Sequence, residues 1–371
     1  MSADITRFLH ASDFDLSTPM FGVAGLPTDL RQTMATARYR AAQRVFDVAV
    51  SEDVDFVVLS GGILGDIAAD SRSAWFFANQ CERLSARQTP VYWIEEAGAI
   101  AQWADYVPLP SNVYQGDPAL GQQFLFETGR RARVRIIAGS DRRRESDDDE
   151  ATICVLPGGL EDQPLSAAGV DYWALGSRGA PGAVPAACGL AQFAGSPQGR
   201  TPSDPGPRGC QLVTIDGEKI VRSNLKTTDV VRWHEERVQV SEDADWDRLC
   251  QLLLTRKQHL ARLADAEVVM VRWSLYGHGP LWEQLLREEL CERLVNTLRD
   301  RTNSPGAQIW SLVVEPVPDQ EEMDFWKQFE APFSDAGAER QAHEPLAGPH
   351  FPTSIRPRVV REAARVLADQ K

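Results

Sequence analysis

Short apolar runs alternate with helix-period stretches through the first hundred residues. Ile5 to Leu9 is strand-like and empties into the polar turn Ala11-Ser12-Asp13-Phe14-Asp15. From Thr28 to Val50 the apolar residues Leu30, Met34, Ala37, Ala41, Val45 and Val48 recur at intervals of three and four, the period of an amphipathic helix. The Thr28 hydroxyl is placed to cap its first turn. Asp55 to Leu59 reads as a buried strand ended by Ser60-Gly61-Gly62, Ser73 to Arg87 as a helix, and Pro90 to Ile94 as the next strand. This β-α-β-α-β rhythm predicts an α/β architecture.

The middle of the chain is strand-rich. Val134 to Ala138, Ala151 to Leu156, Tyr172 to Leu175 and Cys210 to Ile215 are each short, apolar and bounded by turn residues. Between the last two, Gly195 to Gly209 is too dense in glycine and proline for a helix and reads as an ordered loop. A boundary falls near Trp233 to Val240, after which the rhythm restarts. Trp246 to Leu263 is a predicted helix, Glu267 to Leu275 a strand, Pro280 to Arg301 one long helix and Ala307 to Val314 a strand. Beyond Pro316 the chain is polar and proline-interrupted until Arg358 to Leu367, a short amphipathic stretch.

Composition narrows the possibilities. The 371 residues fit two domains at ~150 residues each. Lysine plus arginine number 39 against 53 acids, a formal charge of −14, so affinity for nucleic acid would require a local basic patch. The six cysteines form no C-x-x-C pair, which disfavours zinc and disulfide frameworks and makes a reducing cytoplasm the expected location. No apolar run approaches the ~18 residues of a membrane-spanning helix, and MSADITRFLHASDFD has charges where a signal peptide has its apolar segment.

Several short motifs then occur in a meaningful order. Phe8-Leu9-His10-Ala11-Ser12-Asp13-Phe14-Asp15-Leu16 is followed by Val57-Val58-Leu59-Ser60-Gly61-Gly62-Ile63-Leu64, then by Val91-Tyr92-Trp93-Ile94-Glu95-Glu96-Ala97-Gly98. Val155-Leu156-Pro157-Gly158 and Asp171-Tyr172-Trp173-Ala174-Leu175-Gly176-Ser177-Arg178-Gly179 come next, and then the loop Gly195-Ser196-Pro197-Gln198-Gly199-Arg200, closing with Pro207-Arg208-Gly209-Cys210. Together these resemble the calcineurin-like metallophosphoesterases, and more narrowly the SbcD and YhaO-type DNA repair exonucleases. In that family the corresponding motifs read FLHTSDWHLG, VLVAGDLF, GNHD, LLHG and DYWALGHIH. Val271-Arg272-Trp273 with Gly277 to Leu281 is similar to the family's cap domain. The resemblance implies a four-layer fold of two central β-sheets flanked by helices, followed by a small α/β cap. It also implies a two-metal phosphodiesterase centre and an SbcC-like ATPase as partner.

The departures concentrate on the metal ligands. Asp13 survives, but Asp15 stands where the first motif has histidine, and Gly62 where the second has its bridging aspartate. Ala97 and Gly98 replace the asparagine and histidine of GNHD, Pro157 replaces the LLHG histidine, and Ser177 and Gly179 replace those of GHIH. No histidine occurs between His10 and His234. Asp13, Asp15, Asp66, Glu95 and Glu96 fall near the carboxyl ends of predicted strands, where open sheets place their sites. Asp13 and Asp15 are therefore the candidate metal ligands, for manganese or magnesium if any ion binds; no other cofactor is implied.

For nucleic acid, Arg130, Arg131, Arg133, Arg135, Arg142, Arg143 and Arg144 crowd around one predicted strand, with Asp147, Asp148, Asp149 and Glu150 just downstream. They read either as phosphate contacts or as a solvated edge. Arg200 and Arg208 would meet a phosphate or pin their own loop by hydrogen bonds. His10 reads as a structural strand-end residue, and Trp93, Trp173 and Trp273 as core. The expected organisation is a metallophosphoesterase-like domain over residues 1–232, a cap over 233–318, and a tail over 319–371 ending in a short helix. The functional expectation is a DNA repair exonuclease-family protein that has lost hydrolysis and serves as a DNA-end-binding or ATPase-docking subunit, and that can form a homodimer. The alternative is an active phosphodiesterase using a rearranged acidic site.

Overall fold

In the computed structural model the described residues are 5–65, 71–95, 108–128, 132–139, 150–158, 165, 169–217, 219–300 and 306–317. The chain divides into two compact units, residues 1–233 with 265–269, and residues 234–264 with 270–371. Among the described residues the first holds two six-stranded mixed sheets and two α-helices, the α/β architecture that the alternating pattern predicts.

The first sheet carries strands β1 (Ile5–Ala11), β2 (Phe56–Ser60), β3 (Val91–Ile94) and β4 (Val113–Gly116), all parallel. It is extended on the β1 side by antiparallel β11 (Gly209–Asp216) and β12 (Lys219–Thr227). Helices α1 (Thr28–Ser51) and α2 (Ser71–Ser85) cover its outer face, where Phe46, Phe77 and Trp93 close the core. The second sheet runs β5-β6-β7-β8-β10-β9, from β5 (Gln123–Thr128), β6 (Ala132–Ala138), β7 (Ala151–Leu156), β8 (Tyr172–Leu175), β9 (Gly182–Val184) and β10 (Leu190–Phe193). A second core fills the space between the sheets. Phe8 stacks on Phe56 at 5.0 Å and meets Tyr172 edge-on at 5.4 Å, arrangements that aromatic quadrupoles favour. On the outer face of the second sheet Trp173 and Phe193 pack with Leu165 and Val170, and among the described residues no helix lies there.

A three-stranded sheet is ordered β13 (Val231–Val240), β14 (Val268–Gly277) and β15 (Gln308–Pro316), and all of it except residues 231–233 and 268–269 belongs to the second unit. With it are α3 (Trp246–Leu263), α4 (Pro280–Leu285) and α5 (Glu288–Asp300). No helix among the described residues is long and apolar enough to cross a membrane.

The division between the two units falls between Trp233 and His234, within the segment read as a boundary and inside the strand β13. Two sequence expectations need correction. Thr28 does not cap α1. Pro27 occupies the N-cap with no side-chain bond, Thr28 is already helical, and its hydroxyl accepts from Arg31. The long helix over Pro280 to Arg301 is two helices. Leu281, Trp282 and Leu285 are buried in the first, and Cys291, Leu294, Val295 and Leu298 in the second. Over the six residues from 285 to 291 an unbroken helix advances roughly 240° beyond a full turn, which would turn the acidic stretch inward. The break resets the phase, and the Cys291 thiol takes up the freed carbonyl of Leu285 at 3.2 Å.

Candidate functional site

The carboxyl ends of β1, β2, β3 and β8 converge on one place in the first unit. The turn after β1 continues alongside the turn after β2 through backbone bonds from Asp13 N–H to Gly61 O (3.1 Å) and Asp15 N–H to Gly62 O (2.8 Å). This forces an unusual local backbone. Asp13 (φ 52°), Asp15 (φ 43°) and Ser177 (φ 64°) are left-handed non-glycine residues, and Gly61 and Gly62 share that conformation. Such strain persists where the surroundings over-determine it, and it clusters at functional sites. Beneath, His10 is buried, bonded through Nε2 to Ser60 Oγ at 2.8 Å and through Nδ1 to Tyr172 OH at 3.0 Å. Burial holds its pKa down at about 3, so the imidazole is neutral and joins the two sheets.

Each acid of the site is committed to a protein donor. Asp13 Oδ2 accepts from Ser12 Oγ at 3.0 Å, and Oδ1 accepts from the Ser177 N–H at 3.0 Å. Burial nonetheless pushes its pKa up to about 6. Asp15 Oδ2 lies 2.6 Å from Arg200 Nη1; burial raises its pKa and the guanidinium draws it back down. Glu95 Oε1 accepts from the Gly62 N–H at 2.9 Å and Oε2 from the Trp93 indole at 2.8 Å, with its pKa raised by burial. Glu95 thus serves as the brace of the β2 turn.

Asp13, Asp15, Glu95 and Arg200 are brought together here. Arg208 is only 3% exposed, and its guanidinium donates to the carbonyl of Gly179, in the segment after β8, and to that of Pro205, in its own loop. Arg133 pairs with Glu127 and Arg135 with the buried Glu150. Asp66, Glu96, Arg130, Arg131, Arg142, Arg143, Arg144 and the amphipathic stretch 358–367 lie outside the described residues. Sequence reasoning missed the Ser177 N–H, which acts through its backbone and leaves no side-chain signature. It also missed the pairing of Arg200 with Asp15, which only the fold makes adjacent.

A two-metal centre needs acids and imidazoles converging on shared points, with one carboxylate bridging. The described residues do not fit it. Among the described residues no group of three or more histidine, cysteine, aspartate or glutamate side chains is arranged to hold a metal ion. Gly62 stands where the resembled motif has its bridging aspartate, and an added Cβ there would fall 2.9 Å from Asp13 Oδ1 and 3.0 Å from Asp13 Cα.

The family model described as Metallophosphoesterase YhaO, middle domain, matches residues 233–315. The chain is also 25% identical over 348 residues to the Uncharacterized metallophosphoesterase YhaO of Bacillus subtilis (strain 168), covering 86% of this chain and 84% of that protein. With the two-sheet α/β fold, these matches support a relationship to the metallophosphoesterase family.

Proposed function

We propose that this chain is a non-hydrolysing relative of the DNA repair exonucleases among the metallophosphoesterases, retained as a DNA-end-binding subunit that docks on an SbcC-like ATPase. The observation that carries this reading is the commitment of the cleft acids: Asp13 to Ser12 and Ser177, Asp15 to Arg200, Glu95 to Gly62 and Trp93. A metal would have to displace these donors while finding no bridging carboxylate at position 62. Fold and chemistry are separable in this way, because a site is a small graft on a large scaffold.

The test is calorimetric titration of metal-free protein with manganese, run beside Asp13→Ala and paired with a phosphodiester hydrolysis assay. The expected result is no saturable heat and no metal-dependent hydrolysis from either protein. Micromolar binding together with hydrolysis, both lost in Asp13→Ala and reduced by orders of magnitude in Asp15→Asn, would establish the alternative, an active enzyme with a rearranged acidic site.

A further inference from the structure

The poor fit of the cleft to a metal centre has a counterpart in how the cleft is neutralised. We infer that Arg200 is the resident cation of this site: its guanidinium, carried on a rigid arm, takes the electrostatic place of a divalent ion at Asp15 and lets the cleft assemble without metal.

An exposed arginine–carboxylate pair contributes little, because solvent screens it and two long side chains must be ordered to form it. The Arg200–Asp15 pair is built differently. Its side chains are only 31% and 24% exposed, and its two ends are fixed independently. Asp15 is held by its backbone bond to Gly62. Arg200 is held by Asp204, whose Oδ2 accepts the N–H groups of Arg200 (3.0 Å) and Thr201 (2.9 Å) and the Thr201 hydroxyl (3.2 Å). The Arg200 carbonyl in turn accepts from the Phe21 N–H at 3.1 Å, tying the arm to the segment that leaves the cleft.

Behind Arg200 the arm is anchored to the start of β13. The buried Gln198 amide accepts from the N–H groups of Val230 (2.9 Å) and Val231 (3.2 Å) and donates to the carbonyls of Gly199 and Val231. The Trp233 indole donates to the Gly199 carbonyl at 2.9 Å. Every backbone neighbour of Arg200 is therefore pinned before the guanidinium reaches the acid, so little entropy is lost on forming the pair. Asp13 and Glu95 each feel the charge of Asp15. With Arg200 removed, these three acids would keep no ion-pair partner among the described residues.

This inference extends the proposed function, and its test separates the two. Melting temperatures are measured for wild type, Arg200→Gln, Asp15→Asn and the double variant, each with EDTA and with 5 mM manganese (about the concentration a weak carboxylate site needs). Wild type should melt at the same temperature in both. Arg200→Gln should melt several degrees lower in EDTA and recover part of that loss in manganese. The double variant should lose the manganese response and melt above Arg200→Gln, because the unpaired acid is gone. Should Arg200→Gln fail to fold, folding of the double variant carries the same conclusion, and its failure too overturns the inference. Additive losses in the double variant, or no manganese response in Arg200→Gln, would also overturn it. Manganese-dependent hydrolysis by wild type is the distinct result that removes the proposed function.

Discussion

At the residue scale the most informative side chain is Asp13. Its carboxyl is 7% exposed and bonded to Ser12 and Ser177, yet its pKa is raised from 3.8 to about 6, because desolvation outweighs both bonds. A folded-state pKa above the unfolded one means the native protein holds this proton more tightly. The stabilisation from the protonated carboxyl is fully present below about pH 4 and is lost as the pH rises through about 6. Above that, ionised Asp13 is a liability of about 2–3 kcal/mol. Asp13→Asn keeps an acceptor for the Ser177 N–H without the charge. Urea unfolding should show the variant more stable than wild type by about 1–3 kcal/mol at pH 8 and near parity at pH 4. A variant less stable at pH 8 would mean that the ionised carboxylate is better solvated than its burial indicates. His10 has the opposite sign of shift: the neutral imidazole between Ser60 and Tyr172 favours the native state above about pH 6.5, and that support fades as the pH falls toward 3.

At the scale of elements, legibility followed burial. The strands apolar on both faces, β1, β2, β3, β7 and β8, are visible in the sequence because each is sandwiched between a packed layer and the inter-sheet core. Edge strands are not: β12, KIVRSNLKT, pairs on one side only and is polar along much of its length, and β9 has three residues. The helix α4–α5 break was hidden because no proline or glycine marks it. The site divides along the same line. The departures from the resembled motifs are legible residue by residue, whereas the contacts made at those positions are not, since Ser177 acts through its backbone and Arg200 meets Asp15 across 185 positions of sequence. Gly176 fits only because an added Cβ would sit 1.9 Å from Ser60 O, and at Gly62 the chain has closed onto Asp13. Placing an acid there with Gly62→Asp should therefore not confer hydrolysis. It should destabilise by about 1–3 kcal/mol, as overpacking does, and the two carboxylates would repel. A Gly62→Asp protein that is as stable as wild type and binds manganese would show that this turn yields easily.

At the scale of the whole molecule, charge decides how the chain can meet DNA. With 53 acids against 39 bases the long-range field repels a duplex. Among the described residues Arg200 is held on Asp15, Arg208 on the Gly179 carbonyl and Arg135 on Glu150. Binding by the proposed subunit then depends on a short-range patch, and Arg142, Arg143 and Arg144 are the densest run of positive charge in the sequence. Each phosphate neutralised releases a condensed counterion, so the slope of log affinity against log salt counts contacts. Replacing the three arginines by glutamate should weaken binding of a duplex end strongly at low salt and reduce that slope by about 2–3. An unchanged slope would exclude this run as the contact. Absence of any wild-type affinity, even at low salt, would instead leave docking on a protein partner as the remaining role for a fold that has neutralised its own cleft.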